Sequence, residues 1–440
     1  MRTKNLILLS SLLFATTAVT AMAISKGGFQ KAFGKNPPAR ATDIVEEGRE
    51  IFRHDTFGSE TFWGDKLRLH HAIIGEKNGG VGAGVSPKAA LAVGLKVDIE
   101  SLSQATLDAI KNGTADLDDP NTSIVLLKED AIIGVKGFFN DAGQMTSIGV
   151  QCALCHSTVD NSLAPGLGKR LDGWPNRDLN VGAIVSLSPD LSYYNTLLGV
   201  DDATTRTVLS SWGPGRYDPI LFLDGKAFRP DGKTAATLLP AAYGLMGVNL
   251  HTSTGWGSVT YWNAFVANLQ MHGQGTFYDP RLDDANKYPI AAREKMGHIK
   301  NADDKITSKL AALHAYQLAL TAPAAPAGSF DEAMAKRGQV LFNDKAKCAT
   351  CHTPPLYSEP GWNMHTGAEI GIDEFQAMRS PAERYRTTPL KGAWARAQGG
   401  YYHDGRFANL GEVVEHYNGH LQLSLTDAEK ADLVEFLKSL

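Results

Sequence analysis

Apolar side chains recur every three or four residues in several stretches of the chain, whereas no stretch shows a persuasive alternation of apolar and polar positions. Spacing of this kind places the apolar residues on one face of a helix. Helices are therefore predicted at residues 43–52, 101–112, 305–320 and 331–342. The pattern as a whole predicts an all-α fold.

A Pro- and Ala-rich run at residues 321–328 interrupts this helical pattern. Runs of such composition act as linkers, because proline cannot continue a helix. The run predicts a boundary between an N-terminal domain at residues 24–320 and a C-terminal domain at residues 329–440.

The last predicted helix carries a clear start signal. Thr426 is followed by Glu429 at the spacing of a capping box, in which each residue bonds the other's backbone N–H. Leu433 and Leu437 then continue an apolar stripe toward the end of the chain. We therefore expect a terminal helix that buries one face.

Composition and charge exclude some classes of function. The chain has 440 residues, of which 43% are hydrophobic and 20% charged, and this balance is ordinary for a soluble globular protein of two or three domains. The formal net charge of -4 gives no basis for binding to nucleic acid or to an anionic membrane surface.

The N-terminus has the three parts of a signal peptide. Arg2 and Lys4 precede an apolar run at residues 6–20, and Ala-Met-Ala follows at residues 21–23. The apolar run is too short to span a bilayer. The pattern predicts a signal peptide at residues 1–23 and an exported, periplasmic protein with no membrane span after cleavage.

Two short segments carry the chemistry. Residues 152–156 read Cys-Ala-Leu-Cys-His and residues 348–352 read Cys-Ala-Thr-Cys-His. The C-x-x-C-H spacing attaches haem c through two thioether bonds and leaves the histidine under the iron. The sequence thus predicts two covalent haem c groups, with His156 and His352 as iron ligands and all four cysteines used for attachment, namely Cys152, Cys155, Cys348 and Cys351.

Other uses of the cysteines are less well supported. Two C-x-x-C pairs can form a four-cysteine zinc site, but zinc does not need a histidine directly after each pair. A redox dithiol would be expected in a βαβ context, which neither flank offers. Haem c is therefore favoured, and export agrees with it because bacteria attach haem c outside the cytoplasm.

Several other residues could serve the haems. Trp174 and Arg177 follow the first motif in a turn-rich segment, where the arginine could pair with a haem propionate. His251, His272 and Gln274 lie in a Trp- and Gly-rich stretch and are candidates for an acid–base group. The alternatives are an ordinary surface loop for the first segment and packing roles for the histidines.

Three C-terminal segments resemble the bacterial di-haem cytochrome c peroxidase family, whose members include the enzyme that matures methylamine dehydrogenase. They are residues 385–391, 400–407 and 410–417. The resemblance is good over residues 330–440 and partial over residues 135–180. It implies two cytochrome c-type haem domains, of which the N-terminal one is enlarged here.

The resemblance also implies roles. His156 would belong to the haem that reacts with peroxide, His352 to the haem that receives electrons, and His403 to the domain interface. The family further implies a Ca²⁺ ion between the domains, although no local run of ligands supports one here. A small redox donor of the cytochrome c or cupredoxin type is the expected partner.

The sequence departs from the peroxidases at two positions. Tyr417 stands where they carry the Met ligand of the second haem, as in the methylamine-dehydrogenase-maturing relative, and the rival ligands are Met364, His365 and His403. Asp172 stands where they carry a His that covers the first haem. We therefore expect one low-potential haem and one haem with an open side.

An open haem favours reduction of hydrogen peroxide at the N-terminal site, with electrons relayed through the C-terminal haem. A di-haem oxygenase that uses O₂ also needs an open haem and is the alternative enzyme. A plain electron carrier with both irons six-coordinate is the alternative that is not an enzyme.

Overall fold

The computed structural model describes residues 39–440 except Pro360, so the predicted signal peptide lies outside the described residues. Within this range, no helix combines the length and apolarity that a bilayer crossing requires.

The described part of the chain is mostly helical. Its α-helices are Ala39–His54, Leu69–Ile74, Pro87–Ala92, Gln104–Lys111, Pro120–Lys128, Ala153–His156, Val181–Val185, Ser192–Leu198, Asp202–Trp212, Leu221–Asp224, Val259–Phe265, Pro289–Arg293, Leu310–Ala319, Glu332–Asn343, Gly367–Ile370, Phe375–Met378, Leu410–His420 and Asp427–Ser439. Two π-helices, Thr61–Lys66 and Val266–Gln270, and several 3₁₀ turns complete the helical elements.

Ten short strands pair into five two-stranded sheets, which the expected all-α fold did not include. The pairs are Val97–Asp98 with Leu167–Gly168, Val135–Phe139 with Met145–Val150, Ser157–Val159 with Arg170–Asp172, Arg216–Tyr217 with Thr237–Leu238, and Thr276–Tyr278 with His298–Lys300. The strands are two to six residues long, too short for alternation to be visible in the sequence.

The predicted helices are found with small shifts of their ends. Asp331 and Ser103 turn out to be N-caps, each accepting a hydrogen bond from a backbone N–H in the first turn of its helix. Thr426 and Glu429 form the predicted capping box. Residues 320–326 have no regular secondary structure, in agreement with a linker, and the domain boundary there stays a prediction.

The parts of the chain before and after residues 321–328 are called here the N-terminal and the C-terminal half. In each half, a glycine allows two helices to cross closely. In the N-terminal half, helix Ala39–His54 packs on Leu310–Ala319, and a Cβ on Gly48 would lie 2.0 Å from the Ala312 carbonyl oxygen. In the C-terminal half, helix Glu332–Asn343 packs on Asp427–Ser439. There a Cβ on Gly338 would lie 2.0 Å from the Asp432 carbonyl oxygen. Each half thus contains a pair of helices whose backbones are in direct contact.

The two halves meet around one buried arginine. Arg379 of the C-terminal half donates to both carboxylates of Asp218 and Asp224, at 3.1 and 2.7 Å for the closest N–O contacts. All three side chains are 1% exposed or less. Burial raises the pKa of Asp218 even though Arg379 opposes that shift. Loss of either the arginine or the aspartates would therefore leave a buried charge without a partner, at a high cost in free energy.

A second ionic network lies nearer the surface of this junction. Arg229 of the N-terminal half contacts Asp373 and Asp404, and Arg406 contacts the same two carboxylates. Because the arginines are partly buried, the network contributes to joining the halves.

Replacing Arg379 with Met should destabilise the protein by about 3–5 kcal/mol, because two buried carboxylates lose their partner. Urea unfolding followed by circular dichroism measures the change. Arg384→Met is the matched control, since Arg384 forms only an exposed contact with Glu369 and its loss should leave stability nearly unchanged. Equal effects of the two substitutions would contradict a structural role for the triad.

Candidate haem sites

The first C-x-x-C-H motif lies at the end of a β-hairpin. Strand Met145–Val150 leads into the short helix Ala153–His156. Gly134, on the partner side of the hairpin, lies so close that an added Cβ would be 2.1 Å from the Leu154 backbone. The glycine thus allows the hairpin to set the position of the motif.

Both motif histidines are oriented in the same way. Nδ1 of His156 lies 3.1 Å from the Pro240 carbonyl oxygen, and Nδ1 of His352 lies 3.2 Å from that of Tyr357. A backbone acceptor at Nδ1 places the proton there and leaves Nε2 as the ligand atom. Burial lowers the pKa of both imidazoles, to about 4 for His352, so they are neutral as iron ligands must be.

The four cysteines do not come together. Cys152 packs in the N-terminal core and Cys348 in the C-terminal core. Among the described residues, the one group of three potential metal ligands within 4.8 Å joins Cys351, Glu359 and His365. A four-cysteine zinc site is therefore excluded in the described part of the chain.

Four arginines have no carboxylate partner among the described residues. They are Arg177, Arg216, Arg386 and Arg396. Their hydrogen bonds go to backbone carbonyls, such as that of Gln398 for Arg177 and those of Thr252 and Leu250 for Arg386. The Nε atoms of three of them, those of Arg177, Arg216 and Arg396, are buried without a partner.

These guanidinium groups repel one another. Burial lowers the pKa of Arg177 to about 10, and Arg396 and Arg216 add to the effect. Burial and Arg396 likewise lower the pKa of Arg386 to about 10. Such a cluster needs anions, and each haem c carries two propionate carboxylates, so the residues present fit two haems.

The carboxylate of Asp172 is fully engaged in hydrogen bonds. Its carboxylate accepts from Arg53 at 2.5 Å, from Ser157 at 2.7 Å and from Tyr316 at 2.6 Å. Its side chain is 3% exposed. The aspartate therefore joins helices Ala39–His54 and Leu310–Ala319 to strand Ser157–Val159.

The four candidates for the second iron ligand differ in their surroundings. Burial raises the pKa of Tyr417, and the thiols of Cys351 and Cys348 raise it further, whereas a hydrogen bond with Tyr402 lowers it. The phenol therefore lies near the second motif. Nε2 of His365 is 2.5 Å from the Glu359 carboxylate, which occupies its ligand atom.

The other two candidates lie at the junction of the halves. Met364 lies against Gly255, where an added Cβ would meet its Sδ at 2.6 Å. The ring of His403 stacks on Tyr385 with a centroid distance of 5.2 Å, and its backbone carbonyl accepts from the Leu238 N–H. Tyr417 and His365 are thus the candidates that lie near the motif cysteines, and of these two His365 has its Nε2 engaged by Glu359.

The candidate acid–base residues are not assembled into one group. His251 lies beside Arg386 and His314, and burial lowers its pKa to about 3. His272 stacks on Phe62 at 3.6 Å between ring centroids. Gln274 donates to Thr61 at 3.3 Å. His251 therefore belongs to the arginine cluster, whereas the other two lie beside π-helix Thr61–Lys66.

Trp174 joins the two halves. Its ring lies edge-on to Trp394 at 5.4 Å and to Tyr243 at 6.3 Å. The Tyr243 hydroxyl in turn donates to the Gly392 carbonyl at 2.7 Å. An aromatic contact thus runs from the segment after the first motif to the C-terminal half.

Sequence reasoning missed several of these residues. Arg386 was within reach, because it lies in one of the three segments that carry the family resemblance. Arg216 and Arg396 follow no pattern in the sequence, and only the fold shows that they lie beside Arg177.

Comparisons with known proteins now bear on the second motif. Residues 335–440 match the cytochrome c family. Methylamine utilization protein MauG of Methylorubrum extorquens is 33% identical over 122 residues, which are 24% of this chain and 34% of that protein. The C-terminal residues of the chain are thus similar to c-type cytochromes, and to MauG among them.

The matches to the cytochrome c family and to MauG confirm covalent haem c. They also confirm the resemblance to the di-haem peroxidase-like family over the C-terminal residues. A hydrazine synthase structure from Kuenenia stuttgartiensis, under xenon pressure, covers 49% of the chain and 76% of its own length. Its identity is 20% and its TM-score 0.28.

Replacing Arg396 with Met should lower a haem midpoint potential of the cytochrome by on the order of 50 mV, because a cation that disfavours the ferric charge is lost. A spectroelectrochemical titration measures both potentials. Arg384→Met removes an exposed cation and should leave them unchanged. Unchanged potentials in Arg396→Met would contradict a propionate role for this cluster.

Proposed function

We propose that the cytochrome reduces hydrogen peroxide at an N-terminal haem, with electrons relayed through a C-terminal haem. The N-terminal haem would be held by Cys152, Cys155 and His156. The C-terminal haem would be held by Cys348, Cys351 and His352. The donor is expected to be a small cytochrome c or cupredoxin, met outside the cytoplasm after cleavage of the predicted signal peptide.

Two features support a second haem domain in the N-terminal half. The motif histidines share one orientation, with Nδ1 bound to a backbone carbonyl. Both halves are also closed by a helix pair that touches at a glycine, Gly48 in one and Gly338 in the other. The enlarged N-terminal domain would therefore repeat the plan of the C-terminal one.

The observation that carries the proposal is the engagement of Asp172. Three donors hold its carboxylate, and it stands where related peroxidases carry a covering histidine. No ligand is therefore offered from this position, which supports a haem that is open to peroxide in every redox state.

When bound, the open haem would supply an iron that passes electrons to peroxide. The chain's own groups would hold protons nearby. Burial raises the pKa of Tyr217, and its hydroxyl donates to the Gln270 side chain. Because this phenol keeps its proton at neutral pH, it orients the Gln270 amide, whose Nε2 donates to Pro219.

The contact of Trp174 with Trp394 supports a route for electrons between the domains. The arginine cluster supports it as well, since cations between two haems bring their propionate edges to the same junction. Tyr417 would complete the electron-receiving haem as its second protein ligand.

Absorption spectra of the haem-loaded protein with carbon monoxide and then peroxide test the proposal. About one haem in two should bind carbon monoxide, because one iron is open and the other has two protein ligands. Turnover of peroxide with a reduced donor should follow. Carbon monoxide binding without peroxide turnover would favour the oxygenase, and binding in no redox state would favour an electron carrier.

Replacing Tyr417 with Met should raise the lower haem potential by more than about 100 mV, because a phenolate stabilises ferric iron and a thioether does not. A redox titration measures it. Met364→Leu serves as control and should leave that potential unchanged. A shift in the control but not in Tyr417→Met would transfer the ligand role to Met364.

A further inference from the structure

The side chain of Tyr402 lies beside Tyr417, the proposed second ligand of the C-terminal haem. The centroids of the two rings are 6.4 Å apart, and the ring planes meet at 37°. The Tyr402 hydroxyl forms a hydrogen bond with Tyr417. This hydroxyl is buried, and no other partner for it exists among the described residues. The polar end of Tyr402 is therefore directed at the candidate ligand.

The backbone at Tyr402 has an uncommon conformation. Its φ of 67° lies in the left-handed region, which costs free energy for an aromatic residue. On one side, the Tyr401 N–H donates to the Phe407 carbonyl at 2.8 Å. On the other side, the His403 carbonyl accepts from the Leu238 N–H at 2.7 Å. Hydrogen bonds on both sides thus hold a strained residue in place, a feature that is common at functional sites.

Two further rings hold the Tyr402 ring beside Tyr417. Phe407 lies edge-on to it at 4.8 Å between centroids, and His416 lies edge-on at 5.9 Å. The His416 ring is itself oriented, because its Nε2 lies 2.8 Å from the Ile370 carbonyl oxygen. His416 and Tyr417 are consecutive residues of helix Leu410–His420. One helix therefore carries both the candidate ligand and a ring that packs on Tyr402.

Packing alone does not account for the hydroxyl of Tyr402. A phenylalanine would fill the same space without burying a polar group. Tyr385, at the same junction, shows the usual solution, because its hydroxyl donates to the Asp373 backbone carbonyl at 2.8 Å. The hydroxyl of Tyr402 meets a second phenol instead of a backbone carbonyl.

Tyr402 is the donor in this pair and Tyr417 the acceptor. Burial and then Tyr417 raise the pKa of Tyr402, so its phenol keeps its proton at neutral pH. Burial raises the pKa of Tyr417, and the hydrogen bond from Tyr402 opposes that shift. A bound iron ion would act in the same direction as Tyr402, because a metal cation favours the deprotonated form of its ligand.

We propose that Tyr402 is a positioning residue for the C-terminal haem, whose hydroxyl donates to the phenolate oxygen of Tyr417 and fixes its orientation. The inference rests on the proposed function, in which Tyr417 is a ligand. Hydrogen bonds to a ligand orient it and tune the metal. Because the donor takes up part of the phenolate charge, it raises the potential of this haem above that of an unassisted phenolate.

Replacing Tyr402 with Phe tests this role, since the change removes the hydroxyl and keeps the ring. The equilibrium constant for reduction of the C-terminal haem should fall by about tenfold, which corresponds to about 59 mV for one electron. A spectroelectrochemical titration of the haem-loaded protein measures it. Tyr385→Phe is the matched control and should leave the potential unchanged. Circular dichroism and the haem content report whether each variant folds.

Resonance Raman spectra of the ferric protein give a second readout that does not depend on activity. The wild type should show ring vibrations of a coordinated phenolate, and Tyr417→Phe should lose them. In Tyr402→Phe these vibrations should persist, and the iron–oxygen stretch should move to higher frequency, because the oxygen no longer shares charge with a donor. In D₂O this stretch should shift in the wild type but not in Tyr402→Phe, since the donated proton exchanges.

The inference is overturned if Tyr402→Phe changes neither the potential nor the iron–oxygen stretch, or if Tyr385→Phe changes them equally. Phenolate vibrations that are identical in wild type and Tyr402→Phe would leave Tyr417 as the ligand and remove only the role of Tyr402. Absence of phenolate vibrations from the wild type would overturn both assignments. Failure of peroxide turnover would instead remove peroxide reduction and leave the role of Tyr402 intact.

Discussion

The pairing of Arg379 with two buried aspartates is the interaction on which the arrangement of the halves depends. Asp218 follows Tyr217 directly in the chain, and Tyr217, which lies near Cys155, donates to Gln270. The C-terminal half therefore holds, through Arg379, the segment that positions a side chain near the first C-x-x-C-H motif. The docking of the two halves and the position of the Tyr217 side chain therefore depend on the same contact.

The arginine cluster presents the opposite case, in which charges are left unpaired by the chain. Arg379 has its carboxylates from the protein, whereas Arg177, Arg386 and Arg396 have only backbone carbonyls. The contrast is informative because both sets lie at the same junction. Protein carboxylates pair with Arg379, whereas the propionate carboxylates of haem c are suitable partners for the arginine cluster.

The sequence predicted the features that depend on residues close together in the chain. The capping box at Thr426, the helix that follows Asp331 and the helix that ends at Ala319 all follow from neighbouring residues, and so do the two C-x-x-C-H motifs. The five strand pairs were missed because strands of two to six residues are too short to show an alternating pattern, and the pair of Val97 with Leu167 also joins residues far apart in the chain.

The candidate site divides in the same way. Cysteines and proximal histidines could be named from spacing alone. Gln270 could not, because an amide in an apolar helix has no pattern that distinguishes a site from packing. His251, His272 and Gln274 were separate candidates for one acid–base group, and the fold places His251 apart from the other two.

The two glycine crossings also bear on the order of folding. The first joins residue 48 to residue 312, and the second joins residue 338 to residue 432, so the first closes a loop roughly three times as long. Loop-closure entropy alone then favours the second crossing by about 1 kcal/mol. The C-terminal half can gather from contacts along its own short stretch, whereas the N-terminal half must bring together the ends of a chain segment nearly as long as the domain itself.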